Sequence, residues 1–182
     1  MANLADQTAA TSFGYGTIAA AMFARASARV RGYTRQEIDA DTSTAIVRGP
    51  IVLMPQRPVT AITSVSDLTD PANPVLLTVD DWVLRPGSVL ETPNYGGNLS
   101  VVYAHGFATI PDEIVELVCG VASRLAGINA GAASGVQQET AGSESVTFGW
   151  DSYQAIAELT TGEKRVLDRF YPKRAGVTVM RP

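Results

Sequence analysis

The sequence predicts an α+β fold in which a small helical bundle carries an inserted antiparallel β module. Apolar residues recur at helical spacing near both ends of the chain. The middle of the chain instead consists of short β-branched runs separated by glycine and proline turns. On this pattern, residues 1–43 and 109–182 form the helical part, with two main helices and a short C-terminal helix, and residues 44–108 form the β module.

The first main helix is predicted to begin at Thr17, after a short helix or arm in residues 1–15. Its apolar face consists of residues at helical spacing, namely Ile18, Met22, Phe23, Ala26, Val30 and Tyr33. Three arginines lie off that face without an acidic residue three or four positions away: Arg25, Arg29 and Arg31. They form either a solvated face or a subunit interface with an acidic neighbour. A second copy of this chain, whose net charge is −4, is such a neighbour.

The predicted β module contains apolar or β-branched runs about ten residues apart. Turn sequences such as Gly49-Pro50, Asp70-Pro71 and Pro86-Gly87 separate these runs. Within the run from Leu99 to Ala104, every second residue is large and apolar, as in a half-buried strand. We therefore expect a small antiparallel sheet or sandwich.

The second main helix is predicted to open at the sequence Ile-Pro-Asp-Glu of residues 110–113. Proline fits the first helical position, and the two acids suit the positive end of the helix dipole. Beyond its apolar stripe, the small and polar residues 130–143 predict a mobile loop, and 145–148 predict a strand. Thr160 and Glu163 have the spacing of a capping box at the start of a short helix.

Residues that carry enzyme chemistry are sparse. The single histidine, His105, ends a predicted strand without a nucleophile motif, and a structural role is expected for it. The single cysteine, Cys119, lies in an apolar helical stripe, where a buried and inert thiol is expected. Acidic pairs such as Asp80-Asp81 and Asp39-Ala40-Asp41 lack the pattern of a calcium loop. We expect no catalytic residue, no cofactor and no metal.

The bulk charge and the absence of long apolar runs limit the partners. A net charge of −4 and a pI near 4.9 argue against a protein that grips duplex DNA through its phosphates. They are compatible with a channel wall along which DNA slides. No run approaches the roughly 20 apolar residues that span a bilayer, so we expect no membrane contact.

Four stretches follow one another along the chain: ARVRGYTR at 28–35, VLMPQRPV at 52–59 leading into ITSV at 62–65, VVYAHGF at 101–107 followed by IPDEI at 110–114, and ESVTF at 144–148. In this order they resemble the head-to-tail connector, or adaptor, proteins of long-tailed bacteriophages, also called head completion proteins. In that family a small helical connector carries an inserted β module. The likeness covers most of the chain from about residue 17 onward.

The resemblance implies a virion structural protein without enzymatic activity. It implies a homo-oligomeric ring, commonly of twelve copies, in the neck at the head–tail junction, made in the host cytoplasm. Such a ring would bind the portal protein, extend the DNA channel and offer a platform to the next neck or tail protein. Genomic DNA would pass through the lumen without sequence-specific binding. The resemblance also assigns the portal contact to the C-terminal helix and tail, at Glu163, Arg165, Arg169, Tyr171, Lys173, Arg174 and Arg181.

Two other interpretations are compatible with the same predicted helices and strands. A tail-completion or tail-terminator protein would also form a ring, commonly of six copies, and would bind the tail tube. A β-sandwich module that binds a sugar or peptide would expose Trp82, Tyr95 and Tyr103 as binding aromatics. The spacing of these three residues suits burial equally well, because large aromatic side chains dominate small cores.

Overall fold

The computed structural model describes residues 2–133, 138–141, 144–147 and 158–172. The chain divides into two compact units. The helical unit contains Met1–Arg35 and Pro111–Pro182, and the β unit is Gln36–Ile110. The fold is therefore α+β, as predicted, with the β unit inserted into the helical one along the sequence.

The β unit begins earlier than the predicted boundary at residue 44. Its first strand starts at Asp41, and the side chain of Gln36 is already buried in this unit. The Gln36 amide nitrogen donates to the Pro55 carbonyl at 3.1 Å, and its amide oxygen accepts from the Arg57 N–H at 2.7 Å. These hydrogen bonds fix the segment before the first strand to the β unit.

The β unit contains two antiparallel sheets. Its strands are β1 (Asp41–Arg48), β2 (Ile51–Leu53), β3 (Val59–Asp67), β4 (Val75–Leu76), β5 (Val83–Arg85), β6 (Val89–Glu91) and β7 (Asn98–His105), with a 3₁₀ turn at Val79–Asp81 between β4 and β5. One sheet has the order β1-β7-β3-β4 and the other the order β2-β6-β5. Strands β1 and β4 are thus the edges of the first sheet, and β2 and β5 are the edges of the second.

The core of the β unit lies on one face of the four-stranded sheet. Alternate residues of β7 point into it, and the predicted in–out alternation of that strand is confirmed. The buried cluster consists of Val47, Met54, Val65, Leu77, Leu90, Leu99, Val101 and Tyr103. Trp82 and Tyr95 pack against this cluster and are partly buried, and Tyr103 is 1% exposed. The interpretation as an exposed binding residue is therefore wrong for Tyr103, whose ring is part of the core, whereas Trp82 and Tyr95 bury one side of their rings against it.

The helical unit contains α1 (Gln7–Ser12), α2 (Ala20–Thr34), α3 (Asp112–Ala133) and α4 (Thr161–Phe170). The predicted apolar faces of α2 and α3 pack against each other. From α2, Met22, Phe23, Ala26 and Val30 are buried; from α3, the buried apolar residues include Ile114, Leu117, Val118, Cys119, Val121, Ala122 and Leu125. None of the described helices has the length and apolarity required to span a bilayer.

Two predictions at the ends of α3 need correction. Pro111 precedes the helix, and its carbonyl accepts from the N–H groups of Ile114 and Val115 at 2.9 and 3.1 Å. In the segment predicted as a mobile loop, α3 continues to Ala133, because the three alanines around Gly131 have high helix propensity. Beyond it, β8 (Gln138–Ala141) pairs with β9 (Glu144–Thr147) as an antiparallel hairpin. Strand β9 confirms the strand predicted near Ser145.

Candidate interaction surfaces

The arginines of α2 differ in their surroundings. Arg25 is exposed and Arg29 half-buried, and in the described part of the chain neither side chain has a hydrogen bond or ion pair. They lie four residues apart and so on the same side of the helix. Arg31 donates from Nη2 to the carbonyl of Ala2 at 2.8 Å. Arg25 and Arg29 are therefore the arginines of the predicted subunit interface that are available to a partner, whereas Arg31 also holds the N-terminal segment.

Helix α4 presents an exposed stripe made of Thr161, Arg165 and Arg169. These residues are four positions apart and lie on one side of the helix. Arg165 has no ion pair among the described residues, and Arg169 lies 3.1 Å from the Glu113 carboxylate. That pair contributes about 0–1 kcal/mol, because both side chains are more than half exposed. Arg169 can therefore exchange Glu113 for a carboxylate of another protein at little cost.

Glu163 fastens α4 to α3. Its carboxylate accepts two hydrogen bonds from the Arg124 guanidinium at 2.7 and 2.9 Å. It also accepts the Thr160 N–H at 2.7 Å, while the Thr160 hydroxyl accepts the Glu163 N–H at 3.3 Å, so the predicted capping box is confirmed. Burial raises the pKa of Glu163, but the hydrogen bonds from Arg124 and Thr160 outweigh it and lower the pKa. We call this arrangement of Thr160, Glu163 and Arg124 the α3–α4 clasp.

A groove of about 450 Å³ lies beside the clasp, between α3 and α4. Its lining includes Tyr15, Glu113, Glu116, Gly120 and Arg169. Gly120 leaves room for Tyr15, since a Cβ at this glycine would lie 3.1 Å from the tyrosine hydroxyl. Burial, followed by the charge of Glu116, raises the pKa of Tyr15. The acidic side chains of the groove are partly neutralised by arginines in the same lining. The groove therefore does not present a surface of one charge sign that would bind a charged ligand.

The remaining predicted portal contacts fall into two groups. Tyr171 is 4% exposed, and its backbone N–H donates to the Leu167 carbonyl at 2.9 Å. Its ring belongs to the interior of the helical unit because a large aromatic at the end of α4 completes that core. Lys173, Arg174 and Arg181 lie outside the described residues.

His105 is buried at the end of β7 and faces the neighbouring strand β1. A hydrogen bond of 2.9 Å joins its Nε2 to the Ser43 hydroxyl, and its ring centroid lies 5.5 Å from that of Tyr103. Nucleophilic catalysis would need substrate access and a group that orients the imidazole. His105 is 1% exposed, and its Nδ1 has no hydrogen-bond partner among the described residues. The pair therefore serves to join β1 to β7.

Cys119 is fully buried in α3, as the apolar stripe predicts. Burial raises the pKa of its thiol, and the charges of Asp6 and Glu116 raise it further. The thiolate is thus scarce at neutral pH, which makes the thiol a poor nucleophile. Among the described residues, no group of three or more histidine, cysteine, aspartate or glutamate side chains has the geometry to hold a metal ion.

Large apolar side chains are exposed mainly on the β unit. Within the described residues seven are prominent, and six of them belong to this unit: Ile46, Ile51, Val75, Leu76, Val79 and Val83. The seventh, Phe13, lies at the end of α1. The sequence pattern does not distinguish these residues from core residues, because an apolar residue on a short strand is equally compatible with either face of the sheet.

Comparison with known proteins shows similarity at the level of structure. No protein-family model matches the sequence, and no curated protein matches it. Among solved structures, the chain is similar to one described as the neck of an empty GTA particle computed with C6 symmetry. The two are 16% identical, the match covers 80% of this chain and 81% of that one, and the TM-score is 0.46. At this identity and TM-score, the similarity does not by itself show a common function.

Proposed function

We propose that this chain is a non-enzymatic structural protein of a virion. It forms a ring at the head–tail junction, binds the portal protein, extends the DNA channel and offers a platform to the next neck or tail protein. The observation that carries the proposal is that two of the four connector-like stretches, 28–35 and 101–114, lie where the chain leaves the helical unit and returns to it.

Three of the four stretches lie where the chain passes from one element to the next, and the fourth includes β9. Residues 28–35 form the end of α2, where the chain leaves the helical unit. Residues 52–65 lead from β2 into β3, and their Gln56 N–H donates to the Tyr103 hydroxyl at 3.2 Å. Residues 101–114 contain the return from β7 to α3. Residues at these transitions fix the path of the chain, so the stretches that carry the resemblance are structural and favour a scaffold over a catalyst.

The charged surface of the helical unit suits assembly with protein partners. Arg25, Arg29 and Arg165 have no charged partner among the described residues, although the whole chain is acidic. Charges of this kind steer encounter and orientation more than they add affinity. The α2 arginines suit a neighbouring copy of the acidic chain, and the α4 stripe suits the portal.

Electron microscopy of purified chain mixed with portal particles tests the proposal. We expect an additional axial ring on the portal and no ring on isolated tail tubes. A chain that binds tail tubes and ignores portals is instead a tail-completion or tail-terminator protein, and that outcome would refute the portal assignment.

A charge reversal locates the docking face in the same experiment. Arg165→Glu places a negative charge in the exposed α4 stripe and should remove most of the axial rings. Lys164→Glu makes the same change in charge one position along the helix, about 100° away, and should dock like the wild type. Unchanged docking by the Arg165 variant would show that α4 does not face the portal.

A further inference from the structure

The large exposed apolar side chains of the β unit lie on the edge strands of its sheets, except Val79, which lies in the 3₁₀ turn between β4 and β5. Ile46 lies on β1 and Ile51 on β2, which follow each other in the chain and are in contact. We call these two residues edge A. The other four are Val75 and Leu76 on β4, Val79 in the 3₁₀ turn and Val83 on β5, and we call them edge B. None of these six residues lies on the central strands β3, β6 and β7.

Edges A and B lie at opposite sides of both sheets. In the four-stranded sheet, β1 and β4 are the two outer strands, and in the three-stranded sheet β2 and β5 are. Within the four-stranded sheet, Ile46 is in register with Ser100, Ser100 with Ser66, and Ser66 with Leu76. These residues form one row across the sheet, in which Ile46 and Leu76 are separated by two serines. Three strand spacings place the two apolar side chains about 14 Å apart.

The charged side chains beside the two edges that have no charged partner have opposite signs, whereas Arg85, two positions after Val83 on β5, is paired with Glu91 at 2.9 Å. Arg48 follows Ile46 on the same face of β1, and Asp80 directly follows Val79. Both are exposed, and among the described residues neither side chain has an ion pair or hydrogen bond. Asp81, by contrast, accepts from the hydroxyl and N–H of Thr78 at 2.7 and 2.9 Å. Edge A therefore combines apolar side chains with an available cation, and edge B combines them with an available anion.

We infer that edge A of one copy packs against edge B of the next copy, and that this contact is a subunit interface of the proposed ring. The occupant is a second copy because the chain itself carries both halves of a complementary apolar and charged surface. The contact joins two different surfaces, so every copy keeps one unsatisfied edge until the ring closes. Unpaired strand edges with exposed apolar residues are normally protected, and the neighbouring copy provides that protection here.

Two single substitutions and their mixture test this interface, which rests on the proposed ring. Ile46→Asp disables edge A and Leu76→Asp disables edge B; the two side chains are 72% and 67% exposed, so both variants should keep the wild-type melting temperature. Each variant alone should associate about 30-fold more weakly than the wild type in sedimentation velocity. An equimolar mixture should form a heterodimer that grows no further, because it retains one intact A–B contact.

The mixture separates this inference from other kinds of contact. A self-complementary interface would leave the mixture as weakly associated as the single variants, and that result would overturn the inference. Phe13→Asp is the matched control, since it removes an exposed apolar side chain from the helical unit and should associate like the wild type. Equal loss of association in this control would also overturn the inference, because the effect would not be specific to the edges.

The portal experiment distinguishes failure of the interface from failure of the function. If the wild type and both edge variants add equally complete rings to portals, edges A and B are not the subunit interface, whereas the proposed function stands. If the wild type forms no ring with or without portals, both proposals are refuted.

Discussion

Single residues at the joints of the β unit adopt backbone conformations that few side chains tolerate. Gly106 follows β7 with φ +83°, and a Cβ at this position would collide with the carbonyl of Asp39. Its N–H donates to the Pro58 carbonyl at 2.9 Å, so the same residue ties the end of β7 to the start of β3. Glycine is thus required at position 106 for two reasons, the positive φ and the lack of space for a Cβ beside Asp39.

Replacing Gly106 by alanine should destabilise the protein more than the strain of a positive φ would by itself. Gly87 has φ +81° with open space around it, so Gly87→Ala should lower the free energy of unfolding by about 1 kcal/mol. Gly106→Ala combines the same strain with a collision with Asp39, and should lower the free energy of unfolding by about 3 kcal/mol. Urea unfolding of the two variants measures the difference. Equal losses would mean that the Asp39 segment moves away freely.

At the scale of elements, the α3–α4 clasp determines what can be changed near the C-terminus. Helix α4 buries Leu167 completely and is followed by the buried Tyr171. Deleting residues 160–182 would therefore remove part of the core of the helical unit, together with Glu163 and its bonds to Arg124. Loss of portal docking by such a truncated chain would reflect instability, and for that reason the Arg165 charge reversal is the sharper test of the docking face.

The clasp should make stability depend on pH in the acid range. The folded-state pKa of Glu163 lies below its ordinary value of 4.5, so its contribution is fully present above that pH and is lost as the pH falls through the lowered folded-state value. Glu163→Gln should lower the free energy of unfolding by about 1 kcal/mol at neutral pH, and its difference from the wild type should shrink below pH 4.5. Urea titrations at several pH values measure this. Glu116→Gln, which changes an exposed carboxylate on α3, is the control, and a pH-independent difference for Glu163→Gln would contradict the clasp.

At the scale of the whole molecule, the β unit is one uninterrupted stretch of chain with its own core, whereas the helical unit is assembled from two stretches. A unit of this kind can nucleate from local hairpins, since β3 pairs with β4 and β5 pairs with β6 within it. The helical unit requires α2 and α3 to meet across the whole insertion, which costs loop-closure entropy.

The excised fragment 36–110 should therefore fold by itself. We expect a β-type circular dichroism spectrum and a cooperative urea transition, because the eight buried apolar residues of its core all lie inside the fragment. Leu90→Ala in the same fragment should remove about 2–5 kcal/mol and shift or abolish that transition. A wild-type fragment without a cooperative transition would show that the β unit depends on the rest of the chain.

The sequence alone determined the features that repeat over a few residues. The apolar faces of α2 and α3, the alternation along β7, the strand near Ser145 and the Thr160–Glu163 capping box all follow from local periodicity or spacing. Each depends on neighbours at most a few positions away, so the residues concerned carry the pattern themselves.

Only the tertiary structure decided the features that join distant residues. Arg124 meets Glu163 across 39 positions, Gln36 is held by Pro55 and Arg57, and Tyr171 turns inward. The opposition of edges A and B follows from strand order, which places β1 and β4 at opposite sides of one sheet. Strand order reflects the packing of the whole β unit, so no local pattern in the sequence contains it.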